Sequence, residues 1–155
     1  IRAVPWRGLS SSSLKAPAVY NPRPMQHLEP KQAFEFLRSQ ADALFIDCRS
    51  EMEYLFVGHP PSALHVAWND GPDWDVNPHF VGQVKKLAGT NHATRAIVLI
   101  CRSGNRSQEA GEALERQGFT RVYNVSHGFE GELNPHHQRN SLAGWRYAGL
   151  PWEQC

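Results

Sequence analysis

The chain has 155 residues, 41% of them hydrophobic and 20% charged, with a formal net charge of +1. That is about one domain's worth of sequence, long enough to bury a core and unlike a disordered or fibrous chain. No apolar run approaches the roughly 20 residues of a membrane-spanning helix, and so small a net charge excludes a broad electrostatic surface for nucleic acid or anionic lipid.

Residues 1–24 are rich in Ser, Pro and Ala, with the run Ser10-Ser11-Ser12-Ser13, and read as an extended arm. With Met25 as an alternative start, that arm would be foreign to the fold or removed by processing, and the domain is expected over 25–155. Pro30 suits the first position of a helix whose apolar face is Ala33, Phe34 and Leu37. The run 43–46 predicts a strand ending at Asp47, and 51–56 a short helix closed by Gly58. Residues 64–67 predict a second short strand, and 69–77 a loop around Trp74. A helix follows over 78–87, with Phe80, Val81, Val84 and Leu87 on one side. The strongest strand is 96–100, apolar on both faces as a central parallel strand must be. A helix over 107–117 turns Ala110, Ala113 and Leu114 inward and stops at Gly118 in a left-handed conformation. A last strand spans 122–125. Strands alternating with helices imply βαβ units, hence an α/β fold of three layers with a central, mostly parallel sheet flanked by helices. Trp145, Tyr147 and Trp152 in the C-terminal stretch are expected to pack on the same domain.

The three cysteines, Cys48, Cys101 and Cys155, match neither a disulfide scaffold nor a zinc spacing such as C-x-x-C. With no basic-then-apolar leader at Ile1, a reducing, cytoplasmic compartment is the expectation. Chemistry concentrates in Ile100-Cys101-Arg102-Ser103-Gly104-Asn105-Arg106-Ser107. A buried strand delivers a cysteine to its C-terminal end, where open α/β sheets bind ligands. The following loop and helix N-terminus offer convergent N–H groups and partial positive charge. Arg102 and Arg106 add two fixed cations, and Gly104 permits a turn that a side chain would hinder. All of this favours thiolate over thiol, a displacement from about 8.5 into roughly the 3.5–7.5 range in such sites. The product is a nucleophile suited to an anionic substrate.

The loop C-R-S-G-N-R-S resembles the active loop of the rhodanese family, the thiosulfate sulfurtransferases. Leu44-Phe45-Ile46-Asp47-Cys48-Arg49 is similar to that family's strand ending in Asp-Val-Arg, and Glu53-Tyr54 to its acidic–aromatic pair. Gly58-His59, Pro61, Ala63 and His65 resemble its G-H-I-P-G-A segment, with Pro60 and Ser62 departing from it. Tyr123-Asn124-Val125, Gly128-Phe129-Glu130-Gly131, Gly144-Trp145 and Gly149-Leu150-Pro151-Trp152 are similar to single-domain bacterial members, so the likeness runs from about Leu28 to Trp152. The resemblance implies a ping-pong reaction. Cys101 would take the outer sulfur of thiosulfate as a persulfide, release sulfite, and pass the sulfur to cyanide, a small thiol or a sulfur-accepting protein. Arg102 and Arg106 would hold the sulfonate, and Ser103, Gly104, Asn105 and Ser107 would complete the anion cradle. The resemblance implies no metal or organic cofactor, and no nucleic-acid or membrane partner.

Other residues read as structural. Asp47 and Arg49 support the strand end through local hydrogen bonds, Cys48 belongs to the core, and Cys155 is a passive terminal thiol. His59 and His65 serve packing and turn geometry, His136-His137 a polar loop, and the tryptophans core or rim packing, with one or two at a pocket mouth. Three rival functions stand beside sulfur transfer from thiosulfate. One is a phosphatase or arsenate reductase, but the cell-cycle phosphatases related to this fold have one more residue between Cys and Arg than the C-x-x-x-x-R here. Another is an interaction module without chemistry, typically lacking the cysteine. The third is a persulfide relay between partner proteins.

Overall fold

A computed structural model describes residues 24–155. The arm expected over 1–24 lies, apart from Pro24, outside the described residues. Five strands form one sheet in the order β1-β5-β4-β2-β3, and every pairing is parallel. They are β1 (Gln26–Leu28), β2 (Leu44–Asp47), β3 (Leu64–His65), β4 (Ile97–Ile100) and β5 (Val122–Val125). Three α-helices connect them: α1 (Pro30–Ser39), α2 (Phe80–Ala88) and α3 (Asn105–Arg116). The α/β, three-layer expectation is met.

β4 takes the middle because all four of its residues are apolar and fully buried, a pattern only a strand covered on both faces tolerates. On one face Leu44, Ile46, Ile97 and Leu99 meet Phe80 and Val84 of α2 and Ala110 and Leu114 of α3. On the other, Phe45, Val98 and Ile100 meet Ala33 of α1 together with Phe129 and Trp145 from the C-terminal segment. Trp145 lies edge-on to Phe34 at 5.9 Å and tilted on Phe45 at 5.5 Å. Tyr147 and Trp152 stay more open, at 57% and 44% exposure, so only Trp145 of the three is core.

The elements differ from the sequence expectation where local signals are weakest. β1 was not expected; Gln26-His27-Leu28 has no apolar alternation and exists by pairing with Tyr123-Asn124-Val125. β3 holds only two residues, because Leu64-His65 is the stretch that reaches β2 at the sheet edge. Helix α2 begins at Phe80 rather than 78 and buries Ala88, leaving Leu87 42% exposed. Residues Glu53–Val57 form a π-helical turn closed by the Gly58 N–H on the Glu53 carbonyl at 3.1 Å. Helix α3 starts at Asn105, two residues before Ser107 where the sequence placed it, which shortens the loop after β4. Among the described residues no helix is long and apolar enough to cross a membrane.

Candidate active site

The C-terminal end of β4 hands directly to Cys101, whose sulfur lies at the floor of the turn leading into α3. Gly104 makes that turn possible, since its φ of 107° is strained for any residue with a Cβ. The turn points the Gly104 N–H at Cys101 Sγ, 3.1 Å away, and the Ser107 Oγ lies 3.2 Å from the same sulfur. The Cys48 thiol and the Ser107 backbone also favour the ionised form of this sulfur. Cys48 follows β2, one strand over, with its backbone N–H on the Ile100 carbonyl at 2.9 Å. Its thiol donates to the Ile100 carbonyl at 3.3 Å.

These contacts set the ionisation of Cys101. Burial, at 1% exposure, pushes its pKa up, but the donors from Cys48, Ser107 and Gly104 outweigh burial and bring it down to about 5. Cys48 goes the other way: burial and the neighbouring Cys101 hold it well above its ordinary value, so it stays a thiol. Near neutral pH Cys101 is the thiolate and Cys48 the thiol.

A second layer orients the donors. Asn124 of β5 is buried, accepts the Ser107 hydroxyl at its Oδ1, and donates from Nδ2 to the Gly104 carbonyl at 3.3 Å and to His27 Nδ1 at 3.1 Å. The segment after β5 closes the outside of the turn. Phe129 N–H donates to Cys101 O at 2.7 Å, and Glu130 and Gly131 N–H to Arg102 O at 2.9 and 3.2 Å. Because a trans peptide sets N–H opposite C=O, the N–H groups of Arg102 and Ser103 then face away from that segment. Gly128 makes the approach possible, as a Cβ there would sit 2.6 Å from the Arg102 carbonyl carbon.

The charged residues divide into two sets. Arg106 is committed to Glu53 through Nη1–Oε1 at 2.8 Å and Nη2–Oε2 at 2.9 Å. Burial pushes Glu53 up, yet the Arg106 guanidinium and the Ser50 N–H and hydroxyl bring it down to about 2. Arg102 is exposed at the mouth of a cleft of about 630 Å³ lined by Met52, Glu53, Trp74, Arg106, Glu130 and Arg139. Beneath, Arg49 is fully buried in a two-point pair with Asp47 (Nε–Oδ1 2.9 Å, Nη2–Oδ2 2.6 Å) and stacks on Phe129 at 4.5 Å.

The structure thus brings Cys101, Gly104 and Ser107 onto one sulfur, with Arg102 and Arg106 at the cleft; Ser103 is half-buried and Asn105 exposed beside them. Asp47 and Arg49 lie below the site as a structural pair. His59 and His65 stack on Tyr54 at 3.8 and 4.9 Å and hydrogen-bond the Tyr54 and Arg49 carbonyls. Cys155 is exposed. Sequence reasoning missed Asn124, Arg139 and the contact of Cys48 with Cys101. The last was legible in principle, as both cysteines follow the ends of predicted strands; Arg139 carried no signal.

Comparison with known proteins agrees with this geometry. Residues 30–133 match the model of the rhodanese-like domain. The thiosulfate sulfurtransferase GlpE of Pseudomonas putida is 32% identical over 105 residues, covering 68% of this chain and 82% of that protein. The RP600 homolog of Rickettsia rickettsii is 30% identical over 135 residues, covering 83% and 98%. Among solved structures, Rv0390 from M. tuberculosis superposes with a TM-score of 0.74 at 34% identity, over 85% of this chain and 99% of that one. The polysulfide-sulfur transferase of Wolinella succinogenes shares the fold, with a TM-score of 0.57 at 23% identity over 84% and 80%. A cysteine loop at the end of the central strand, on this sheet and with these relatives, makes the chain a member of the rhodanese-like sulfurtransferase family.

Proposed function

We propose that the chain moves sulfane sulfur from thiosulfate, or from a persulfide donor, to a thiophilic acceptor through a persulfide on Cys101. The observation that carries this is the Cys101 sulfur itself, which against burial is brought down to about 5 by Cys48, Ser107 and Gly104, in a loop whose Arg102 and Arg106 line the cleft. The thiolate attacks the outer sulfur of thiosulfate; the S–S bond breaks, sulfite leaves with its electron pair, and Cys101 carries S–S⁻. The same donors stabilise charge on thiolate and persulfide alike, so neither state is strongly favoured over the other. Cyanide or a thiolate then takes the outer sulfur and restores the Cys101 thiolate. The sulfur of Cys101 is the carrier throughout, and no metal or organic cofactor enters either step.

Arg102 is the exposed cation offered to a sulfonate, with Arg139 beside it holding the Gly131 carbonyl through one terminal nitrogen, whereas both terminal nitrogens of Arg106 are held by Glu53. Arg106 therefore acts chiefly as a fixed positive charge behind the loop. That commitment, with the short C-x-x-x-x-R loop, speaks against a phosphate cradle, in which the arginine must face the anion. The cleft mouth also favours an acceptor with an apolar body, a thiol compound or protein persulfide partner, over cyanide, since Met52 and Trp74 line it at 65% and 51% exposure. The test is intact mass after incubation with thiosulfate, followed by cyanide and a thiocyanate assay, beside Cys101→Ser. One added sulfur that cyanide removes, absent in the variant, is the expected result. No added sulfur with thiosulfate or an organic persulfide overturns the reading.

A further inference from the structure

Cys48 carries no sulfur in the transfer just described, yet it is the side chain closest in chemistry to the nucleophile. β2 and β4 pair in parallel with Asp47 opposite Ile100, and Cys48 and Cys101 are the next residues along each strand. Both turn to the face covered by α2 and α3, where they belong to one apolar cluster. Neighbouring strands run about 4.7–4.9 Å apart, inside the roughly 4.4–6.8 Å that a disulfide spans between Cα atoms. Each sulfur acts on the ionisation of the other, Cys48 lowering Cys101 and Cys101 raising Cys48, and both cysteines are free thiols. Cys155 is the remaining thiol, exposed at the chain end.

We propose that Cys48 is a resolving thiol, which displaces whatever leaving group the Cys101 sulfur carries and closes a Cys48–Cys101 disulfide. On the persulfide, an inference that rests on the function proposed above, the Cys48 sulfur attacks Cys101 Sγ. The bond from Sγ to the outer sulfur breaks, and the outer sulfur departs with the electron pair and takes the Cys48 proton as HS⁻. On a sulfenic acid, formed when a hydroperoxide oxidises the Cys101 thiolate, the same attack expels water. A dithiol reductant restores both thiols in either case, becoming oxidised to its own disulfide. Because Cys48 is fully buried and its ionisation suppressed, its attack is slow. An external acceptor entering by the cleft therefore wins while it is present. The pair then provides a second outlet, sulfide release, when no acceptor arrives, and it keeps the nucleophile from irreversible oxidation.

The experiment uses the full chain with Cys155→Ser, alone and combined with Cys48→Ala or Cys48→Ser. Two or more equivalents of hydrogen peroxide, followed by alkylation and peptide mapping, should give a protein lighter by two hydrogens with Cys48 linked to Cys101. The Cys48 variants should instead carry a sulfinic acid on Cys101. An organic persulfide without acceptor should load one sulfur and then lose it as sulfide with the same cross-link, while the Cys48 variants keep the persulfide at least tenfold longer. A Cys155→Ser chain that goes to sulfinic acid with Cys48 still alkylatable overturns the proposal. So does a persulfide that decays equally in all three proteins. A peroxide cross-link with no sulfur loading leaves the resolving thiol standing and removes the sulfurtransferase reading instead.

Discussion

Ser107 has a single hydroxyl proton and two acceptors, the Cys101 sulfur and Asn124 Oδ1, so its support of the thiolate is shared rather than whole. A hydrogen bond to a charged group contributes about 1.5–3 kcal/mol, and one pH unit of ionisation corresponds to about 1.4 kcal/mol. Sharing puts the effect at the lower end. Alkylation of Cys101 by iodoacetamide should be flat near neutrality and fall as pH drops through about 5. In Ser107→Ala that midpoint should move up by about one pH unit; an unmoved midpoint would assign the hydroxyl wholly to Asn124. At this scale the sequence pointed to Cys101, Gly104 and Ser107 because strand end, turn and helix start are local. It did not point to Asn124, since nothing in Tyr123-Asn124-Val125 records that β5 lies beside the cysteine's strand.

Between elements, the Glu53–Arg106 pair ties the π-helical turn Glu53–Val57 to the first turn of α3, and Ser50 completes it with its N–H and hydroxyl at 3.2 and 3.0 Å. Both side chains are less than one-fifth exposed, so screening is incomplete. Folding holds the Glu53 carboxyl at about 2 against its ordinary 4.5. A depressed carboxyl stabilises the fold above the unfolded value and loses that contribution as pH falls through the folded one. The contribution is at most about 3.4 kcal/mol. Glu53→Gln should therefore unfold at lower urea than the parent at pH 7, and the gap should narrow between pH 4.5 and 2. A gap independent of pH would mean that shape rather than charge holds the turn. The sequence predicts a short helix here, and the π register with its Gly58 closure was not legible. The Arg49 side chain holds the Gly58 carbonyl from below.

For the molecule as a whole, the Asp47–Arg49 pair joins the sheet, the Gly58 turn and Phe129 of the C-terminal segment. Removing one partner leaves a buried charge without compensation, at about 3–5 kcal/mol, a large share of the roughly 5–15 kcal/mol that holds a domain together. Arg49→Ala should lower the urea midpoint accordingly, or leave the protein insoluble. Arg49→Met with Asp47→Asn should recover part of the loss, because it removes both charges. A single variant as stable as the parent would show that the pair is not what joins these layers.

Local composition was enough to determine the α/β class, the central strand, the cysteine loop and the family resemblance. Each is assembled from short local signals, such as an apolar run, a glycine where φ must be positive, or a helix start, the first and last of them repeated along the chain. Tertiary structure alone decided β1, whose pairing with β5 comes from the far end of the chain, and the burial of Ala88 in place of Leu87. It also decided the commitment of Arg106 to Glu53, a residue 53 positions away, and the placing of Cys48 against Cys101. Those contacts depend on which strands the sheet sets side by side, and strand order is chosen by the packing of both layers at once rather than by any segment alone.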